Sequence, residues 1–234
     1  MAETDDTKHL TIAIDGPAAS GKSTVALELA RRLNLLLVDS GSMYRAVTLL
    51  AIESGIPVDD EDALARIAVE VRSSFRLRLR VGETLRIFIG ERDVTEDVRS
   101  KQVGDAVSPV SEVPAVREEM VGLQQYLVEG LGAVMEGRDI GTTVLPDAQV
   151  KIFLEAPPEE RARRRFAELE SKGMEVSGEE VAGEIEKRDR IDSSREVSPL
   201  RAAPDAVVLE TGGKTVADVV DEIVGIICNR GLME

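Results

Sequence analysis

The sequence predicts an α/β fold in which a parallel sheet is covered by helices on both faces. Three observations support this prediction. Short, almost wholly apolar runs recur along the chain, and strands buried on both faces have this composition. Segments with the 3.6-residue periodicity of amphipathic helices lie between these runs. One region instead alternates polar and apolar residues, which is typical of a half-exposed hairpin and indicates a small insert.

The predicted elements alternate in chain order. Apolar runs predict strands at residues 10–15, 35–39, 133–136, 150–156 and 206–211. Helical periodicity predicts helices at residues 22–33, 42–55, 59–71, 111–130, 157–173, 177–190 and 215–229. The alternating runs FRLRLRV (75–81) and LRIFIG (85–90), joined through Gly82-Glu83, predict an antiparallel hairpin. We therefore expect a core at 10–71 and 105–230, an inserted β subdomain at 72–104 and a disordered tail at 1–9.

The charge balance limits the classes of partner. The 234 residues carry a formal net charge of −15, and the sequence pI is about 4.7. Nucleic acids and anionic membranes repel such a chain, so neither is an expected partner. Yet 22 of the 29 basic residues are arginine, which binds phosphate in a bidentate fashion. Composition leaves open whether these arginines form a phosphate site or pair with acidic surface residues.

Cysteine and histidine are too scarce for several kinds of site. Cys228 is the only cysteine, which excludes an intramolecular disulfide and is typical of a reducing cytoplasm. His9 is the only histidine, which argues against a Ser-His-Asp triad or a multi-histidine metal site. The acidic N-terminal residues do not resemble a secretory signal, and no apolar run approaches the roughly 20 residues that span a bilayer. We expect a cytoplasmic protein.

The stretch GPAASGKS (16–23) matches the phosphate-binding motif G-x-x-x-x-G-K-[ST] and lies between a predicted strand and a predicted helix. Gly16 and Gly21 let the backbone curl so that its N–H groups point at phosphate oxygens. Lys22 is expected to reach the β- and γ-phosphates, and the Ser23 hydroxyl to bind Mg²⁺. An ordinary strand-to-helix turn is the alternative. The full motif in this context favours a P-loop NTPase fold that binds a nucleoside triphosphate.

Two further segments place arginines where an acceptor would bind. DSGSMYR (39–45) and EGRDIGT (136–142) each follow a predicted strand, so both lie at the carboxyl edge of the sheet, where ligands bind in such folds. They supply Arg45 and Arg138, which together suit a monophosphate dianion. Alternatively, Arg45 is a surface helix residue and Arg138 pairs with Asp139. The sequence contains no Asn-Lys-x-Asp segment, which argues against a GTPase.

The order of these motifs makes the chain similar to bacterial cytidylate (CMP/dCMP) kinases, which belong to the nucleoside monophosphate kinases. The motifs that carry the resemblance are GPAASGKST, DSGSMYR, EGRDIGT, EERARRR (159–165) and KRDRIDSSR (187–195). The similarity covers about residues 10–229. It implies a five-stranded parallel sheet, a nucleoside-monophosphate-binding β insert at 72–104 and a short lid at about 157–175.

The resemblance also assigns site residues. It implies that the ATP phosphates are held by Gly16, Pro17, Ala18, Ala19, Ser20, Gly21, Lys22, Ser23 and Thr24. It implies that the CMP pocket is formed by Ser40, Tyr44, Arg45, Ser108, Arg117, Arg138, Asp139, Arg188, Asp192 and Arg195. Of these, Arg45 and Arg138 hold the α-phosphate, while Ser108, Arg117 and Asp139 read the cytosine edge. A carboxylate can accept a hydrogen bond from the cytosine amino group, and uracil has a carbonyl at that place.

The i, i+4 and i+7 spacing of Arg188, Asp192 and Arg195 has a second interpretation. The resemblance assigns these residues to the sugar and phosphates of CMP. The spacing alone suits a salt bridge on a helix surface equally well.

The arginine-rich segment EERARRR suits a lid that neutralises charge during phosphoryl transfer. Four arginines on one helix cannot all face one ligand, and some lie on a solvated face. We select Arg161 and Arg165, four residues apart, and the predicted catalytic set is Lys22, Arg45, Arg138, Arg161 and Arg165.

Two departures from the common pattern of the family concern the P-loop and the residue before GRD. Ala19 and Ser20 stand where a Gly-Ala pair is frequent, and the missing glycine could tighten the loop. Glu136 stands where Asp is also found. It either supports the Mg²⁺ ion indirectly or anchors the loop.

The sequence therefore predicts a kinase that catalyses ATP + (d)CMP ⇌ ADP + (d)CDP with Mg²⁺, by direct in-line transfer and without a covalent enzyme intermediate. The substrates are small molecules, and we expect a monomer. A kinase for UMP or AMP is one alternative. A non-catalytic ATP-binding sensor that contacts partners through the β insert is the other.

Overall fold

The computed structural model describes residues 9–78, 86–171 and 173–233. The strands are β1 (Thr11–Asp15), β2 (Leu36–Asp39), β3 (Phe75–Arg78), β4 (Arg86–Ile89), β5 (Arg92–Asp93), β6 (Ala133–Gly137), β7 (Val150–Glu155) and β8 (Val207–Glu210). The helices are α1 (Lys22–Leu33), α2 (Ser40–Glu53), α3 (Glu61–Ser74), α4 (Lys101–Glu112), α5 (Pro114–Val128), α6 (Pro158–Ser171), α7 (Gly178–Ser194) and α8 (Val216–Asn229). A 3₁₀ turn lies at Asp97–Arg99, and a π-helical turn lies at Ile140–Val144.

The five strands predicted from apolar runs form one sheet in the order β2-β6-β1-β7-β8. This confirms the predicted five-stranded parallel sheet. β1 lies at its centre and pairs in parallel with β6 and with β7. All five residues of β6 and four of the five in β1 are buried, as the apolar runs require. The ends of β1 and β6 therefore lie side by side, with Asp15 opposite Gly137.

The chain divides into two compact units. One contains the described residues up to Val38 and from Gly130 onward, and the other is the continuous segment Asp39–Glu129. The second unit has its own buried apolar residues, among them Leu64, Val71, Phe75, Ile87, Val110, Val116 and Met120. It is longer than the predicted insert at 72–104, whose assignment as a separate subdomain stays a prediction.

A small antiparallel sheet confirms the strands of the predicted hairpin. β3 pairs with β4 from Phe75 opposite Ile89 to Arg78 opposite Arg86. β5 adds a third strand that the sequence pattern did not indicate, because it has only two residues. The predicted Gly82-Glu83 turn, residues 79–81 and 85 of the predicted hairpin strands and residues 1–8 of the predicted tail lie outside the described residues.

Helix α4 is the main element that the sequence pattern missed. Pro109 lies inside it, and proline usually breaks a helix because it lacks a backbone N–H. Val103, Val107 and Val110 nevertheless bury one face of α4. The apolar face therefore outweighs the local penalty. Helix α4 begins inside the region that the sequence assigned to the insert.

Helices α6 and α7 pack against each other near the P-loop. Their shared apolar cluster contains Leu169, Val181 and Ile185, and Ala19 of the P-loop packs against it. A capping box, in which Ser177 and Glu180 bond each other's backbone N–H groups, starts α7. In the described part of the chain, no helix is both long and apolar enough to cross a membrane.

Candidate active site

The P-loop connects the end of β1 to the first turn of α1. Gly16 has a φ of 150°, and a Cβ built there would lie 2.2 Å from the Leu154 carbonyl oxygen. Gly21, with a φ of 95°, immediately precedes Lys22, the first residue of α1. Only glycine fits at Gly16 without displacing β7 backbone. The structure thus confirms the strand, loop and helix around the motif.

Lys22 is buried against the loop. Its Nζ lies 2.6 Å from the Pro17 carbonyl oxygen, to which it donates, and 3.4 Å from Ser20 Oγ. Burial and, after it, the nearby Arg138 guanidinium lower the pKa of Lys22 from 10.5 to about 7. Glu136 and Asp15 act in the opposite direction. Bound phosphate groups would supply the negative charge that favours the protonated lysine.

Ser23 and Glu136 form a pair beside the loop. The Ser23 hydroxyl donates to Glu136 Oε1 at 2.6 Å, and Glu136 is buried in β6, next to β1. Hydroxyl and carboxylate oxygens are the ligand type that Mg²⁺ prefers, so this pair fits the ion. Within residues 9–78, 86–171 and 173–233, no group of three His, Cys, Asp or Glu could hold a metal. An ion here would rely on Ser23 and on the phosphates of the nucleotide.

Two arginines of α6 bind backbone oxygens of the P-loop. Arg161 Nη1 donates to the Ala18 carbonyl at 3.1 Å and forms an ion pair with Asp189. Asp189, on α7, also accepts from the Ala18 N–H at 3.2 Å. Arg164 Nη1 donates to the Ser20 carbonyl at 3.3 Å. Both α6 and α7 therefore hold the P-loop from outside.

The other two arginines of EERARRR have neighbours on their own helix. Arg163 pairs with Glu160, and Arg165 pairs with Glu168 at 2.7 Å. The Arg163 side chain is 76% exposed and that of Arg165 is 36% exposed. Of the selected pair, the structure brings Arg161 to the P-loop and turns Arg165 toward Glu168. Arg164, which was not selected, contacts the loop.

A cluster of arginines surrounds Asp192 on α7. Arg138 Nε donates to Asp192 Oδ2 at 2.8 Å, and Arg195 Nε donates to the Asp192 carbonyl at 3.3 Å. Burial alone would raise the pKa of Asp192, but the guanidiniums of Arg138, Arg188 and Arg195 outweigh it and hold the pKa below its ordinary value. Three guanidiniums around one carboxylate form a group that can also bind a phosphate, and the carboxylates of Glu136 and Asp189 act on Arg138 as well.

Two alternatives from the sequence can be compared with this cluster. Arg138 forms an ion pair with Asp192 on α7. Its neighbour in sequence, Asp139, is buried. Helix α7 continues to Ser194 and Arg195 is its C-cap, so the three spaced residues do share one helix. They are not an exposed surface salt bridge, because Asp192 and Arg195 are buried.

The remaining predicted acceptor residues belong to the segment Asp39–Glu129. Arg117 is buried on α5, and its guanidinium lies 5.5 Å from the centre of the Tyr44 ring. Its Nη1 donates to the Ser111 carbonyl at 3.2 Å. Ser108 is buried on α4, one turn before Ser111. Tyr44 and Arg117 are in contact, as a shared pocket requires.

The start of α2 carries Ser40 and Arg45. Ser40 is buried at the first position of the helix, and the Asp39 side chain caps the helix by accepting from the Ser42 N–H at 3.2 Å. Arg45 is half-buried, and its Nη1 donates to the Val98 carbonyl at 3.3 Å. Arg45 is therefore more enclosed than a surface helix residue. It belongs to a different compact unit from Arg138.

Sequence reasoning missed three residues that hold the P-loop or its neighbours. They are Asp15, Arg164 and Asp189. The sequence did contain a signal for Asp15, because a carboxylate at the end of a buried strand needs hydrogen-bonding partners nearby. Asp189 lies between two arginines in KRDR, a composition that gives no indication of which group it pairs with.

The sheet, the P-loop and the arginines of α6 and α7 together define a P-loop kinase. The family model described as "Cytidylate kinase" matches residues 12–229. The chain therefore belongs to the cytidylate kinase family.

Individual relatives agree with this assignment. The chain is 50% identical over 222 residues to a cytidylate kinase of Enterococcus faecalis, with 95% of this chain and 97% of that protein covered. It is 50% identical over 213 residues to a cytidylate kinase of Pelotomaculum thermopropionicum, with 91% and 93% covered. A crystal structure of an uncharacterized protein from Eubacterium ventriosum superposes with a TM-score of 0.54 at 17% identity, covering 95% of this chain and 99% of that one. The last comparison shows a shared fold.

Proposed function

We propose that this protein transfers the γ-phosphate of ATP to CMP and dCMP, giving ADP and CDP or dCDP. One observation carries the proposal beyond family membership. Arg138, the proposed acceptor-phosphate residue, directly follows Gly137, and Gly137 lies opposite Asp15, the residue before the P-loop, in the pairing of β6 with β1. Two cations from the donor and acceptor motifs thus stand together, where the phosphates of two nucleotides would repel each other without them.

The proposed transfer is direct and in line. The acceptor phosphate is already an anionic nucleophile, so no covalent enzyme intermediate is needed. The P-loop residues from Gly16 to Thr24 would hold the ATP phosphates, with Lys22 at the transferred group. Ser23, supported by Glu136, would hold Mg²⁺, which neutralises phosphate charge when it is bound. The contribution of the chain is position, positive charge and exclusion of water.

Acceptor binding is assigned to the residues that the resemblance implies for CMP. Arg45 and Arg138 bind the α-phosphate of CMP. Arg188, Asp192 and Arg195 bind its sugar and phosphates, and Ser40 and Tyr44 shape the pocket. The partly buried ion pair of Arg138 with Asp192 supports this assignment, because it keeps the guanidinium fixed before the nucleotide arrives.

Cytosine selectivity is assigned to Ser108, Arg117 and Asp139. A buried carboxylate at Asp139 would accept from the cytosine amino group and meet an unfavourable acceptor in uracil. A site built on such a bond rejects the wrong base strongly, because a buried polar group is then left unpaired.

Lid closure over the donor is assigned to the segment at about 157–175. Arg161 and Arg165 are the proposed contacts to the transferring group. Arg161 is supported by its position at the P-loop. The insert at 72–104 remains the proposed nucleoside-monophosphate-binding subdomain.

We place the enzyme in the cytoplasm, in pyrimidine nucleotide metabolism, and propose that it acts as a monomer. Neither a nucleic acid nor a membrane is a partner in this proposal, in keeping with the net charge of −15.

The decisive experiment measures ADP formation from Mg·ATP with CMP, dCMP, UMP and AMP in parallel. We expect fast turnover with CMP and dCMP, and kcat/KM lower by about 100-fold or more with UMP. Arg138→Ala should lower kcat/KM for CMP by about 100-fold, since it removes the partly buried cation that is proposed to bind the acceptor phosphate. Arg190→Ala is the matched control, because Arg190 lies on α7 with its side chain 74% exposed.

The alternatives give different results in the same experiment. Preference for UMP or AMP would keep the chemistry and refute the roles of Ser108, Arg117 and Asp139. Binding of ATP without acceptor-dependent turnover would refute the kinase and favour the sensor. Equal losses in Arg138→Ala and Arg190→Ala would refute the role of Arg138.

A further inference from the structure

Asp15 is a buried carboxylate directly before the P-loop. It is the last residue of β1, the central strand, and only 4% of its surface is exposed. Its Oδ1 accepts from the Ile140 N–H at 2.8 Å, and its Oδ2 accepts from the Gly141 N–H at 2.7 Å. Both oxygens thus bind consecutive backbone amides of one loop, 125 and 126 residues further along the chain.

The bound loop is the one that carries Arg138 and Asp139. The two amides immediately follow Asp139, at the start of the π-helical turn Ile140–Val144. Because Asp15 precedes Gly16, one side chain connects the donor motif to the acceptor loop. No other atoms intervene between the carboxylate and the two amides.

Lys151 supports the same loop from β7. Its Nζ donates to the Pro146 carbonyl at 2.5 Å and to Asp205 Oδ1 at 2.9 Å. Gly141 lies between the two supports, since a Cβ built there would be 3.2 Å from Lys151 Cδ and 3.4 Å from Asp15 Oδ2. The absence of a side chain at Gly141 lets the loop approach both groups closely.

Burying the Asp15 carboxylate costs desolvation free energy. The pKa of Asp15 is raised from 3.8 to about 6, because the effect of burial exceeds that of the two amide bonds, which lower the pKa and offset part of this cost. An apolar residue at the end of a central strand would avoid the desolvation penalty altogether. The geometry of the loop, rather than stability, is therefore what the carboxylate serves.

We propose that Asp15 is a positioning residue for phosphoryl transfer, which fixes the loop bearing Arg138 and Asp139 relative to the P-loop. The proposal rests on the proposed function of that site. Asp15 does not touch either nucleotide in this scheme. It acts through the two amides and so sets the separation between the cations of the donor and acceptor motifs.

Asp15→Asn is the first test, because it preserves shape and removes one acceptor. The asparagine oxygen can accept from one amide, but its NH₂ group then faces the second N–H. We expect kcat/KM for CMP to fall by about 30-fold or more, while the Kd for ATP measured without CMP changes by less than about threefold. Asp218→Asn is the matched control, since Asp218 accepts from the Thr215 N–H on the exposed start of α8. It should leave both constants unchanged.

Two results would overturn the proposal. One is unchanged CMP kinetics in Asp15→Asn. The other is a loss of ATP affinity as large as the loss for CMP, which would indicate general damage to the P-loop.

Gly141→Ala is the second variant and covers the case in which Asp15→Asn does not fold. It leaves the carboxylate in place, and the added methyl group presses against Asp15 and Lys151. We expect a smaller loss in the same direction, about threefold to tenfold in kcat/KM for CMP, with ATP affinity retained. Unchanged CMP kinetics in a folded Gly141→Ala would also overturn the proposal.

Amide hydrogen exchange tests the role of Asp15 independently of whether the protein phosphorylates CMP. If the wild-type protein failed to phosphorylate CMP, the proposed function would fail, and exchange would still report on the loop. Exchange of the Ile140 and Gly141 amides should be about tenfold or more faster in Asp15→Asn than in the wild type. Equal exchange in the two proteins would refute the role of Asp15.

Discussion

At the scale of single residues, Lys22 contributes both to the structure of the P-loop and to the binding of phosphate. In the absence of phosphate, its ammonium bonds the Pro17 carbonyl, and burial together with Arg138 lowers its pKa to about 7. ATP would bring negative charge to the same place and return the pKa toward its ordinary value. ATP binding is thus linked to the protonation of Lys22.

The sign of this linkage follows from the two pKa values. Between about pH 7 and pH 10, free Lys22 is largely neutral and ATP-bound Lys22 is charged, so binding takes up a proton. We expect uptake of about one proton near pH 8.5, and an ATP affinity that falls as the pH rises through this range. Calorimetry in HEPES and in Tris, which differ in ionisation enthalpy, measures the uptake directly.

Lys22→Arg is the control for proton uptake, because an arginine at that position stays charged throughout this range. It should bind ATP without taking up a proton. Equal binding enthalpies in the two buffers for the wild-type protein would contradict the prediction.

Ala19 is a residue whose departure from the common family pattern has a visible structural consequence. Its φ is 58°, in the left-handed region that costs a non-glycine residue roughly 1–2 kcal/mol. A glycine would adopt this conformation without strain. The packing of Ala19 against the cluster of Leu169, Val181 and Ile185 offsets part of this cost.

At the scale of elements, the four arginines of helix α6 have different contacts. Arg161 and Arg164 donate to the backbone of the P-loop, at Ala18 and Ser20. Arg163 and Arg165 pair with glutamates of the same helix, and Arg164 also pairs with Glu160 in addition to its bond to the P-loop. The three-residue spacing of Arg161 and Arg164 places them on one face, and the partners of Arg163 and Arg165 are glutamates three residues away on the same helix.

Single alanine variants of α6 should separate these roles. Arg161→Ala and Arg164→Ala each remove a bond to the P-loop, so we expect the KM for ATP to rise by about tenfold in each. Arg165→Ala should lower kcat by about tenfold and leave this KM unchanged if Arg165 contacts the transferring group as proposed. Steady-state kinetics with ATP varied at saturating CMP measure both constants.

Arg163→Ala is the control for the α6 series, since that side chain is 76% exposed. Its constants should stay within about twofold of the wild type. A change in Arg163→Ala as large as in Arg161→Ala would indicate that loss of helix charge, rather than contact with the P-loop, is responsible.

At the scale of the whole molecule, the segment Asp39–Glu129 is continuous in sequence and forms its own compact unit. It contains helices α2 to α5, the small sheet and a set of buried apolar residues. Such a segment meets the usual description of a domain. The fragment 72–104 is far shorter, and chains below roughly 40 residues rarely fold without added cross-links.

We therefore expect the isolated fragment 39–129 to fold and the isolated fragment 72–104 to remain unfolded. Circular dichroism should show a helical spectrum and a cooperative thermal transition for the longer fragment alone. Leu64→Asp in the longer fragment is the control, because Leu64 is fully buried and a charge there should abolish the transition. Folding of 72–104 by itself would instead support the boundaries predicted from sequence.

Much of this architecture follows from local features of the sequence. Apolar runs located all five strands of the main sheet. The three central strands β6, β1 and β7 are almost wholly buried and carry no polar alternation, whereas the edge strand β8 is only half-buried. The P-loop was evident because its glycines and lysine have fixed spacing over eight residues. Helix α4 was missed because Pro109 is a local signal against a helix, and burial of its valines decides otherwise.

The sequence alone thus determined the fold class, the phosphate-binding loop and the arginine-rich segments. Only the tertiary structure decided which groups meet, as in the pairs of Asp15 with Gly141, Arg138 with Asp192 and Arg161 with Asp189. These partners lie 126, 54 and 28 residues apart in the chain. Motifs and periodicity are properties of neighbouring residues. Contacts between distant residues depend on the strand order β2-β6-β1-β7-β8, which places the ends of β1 and β6 side by side.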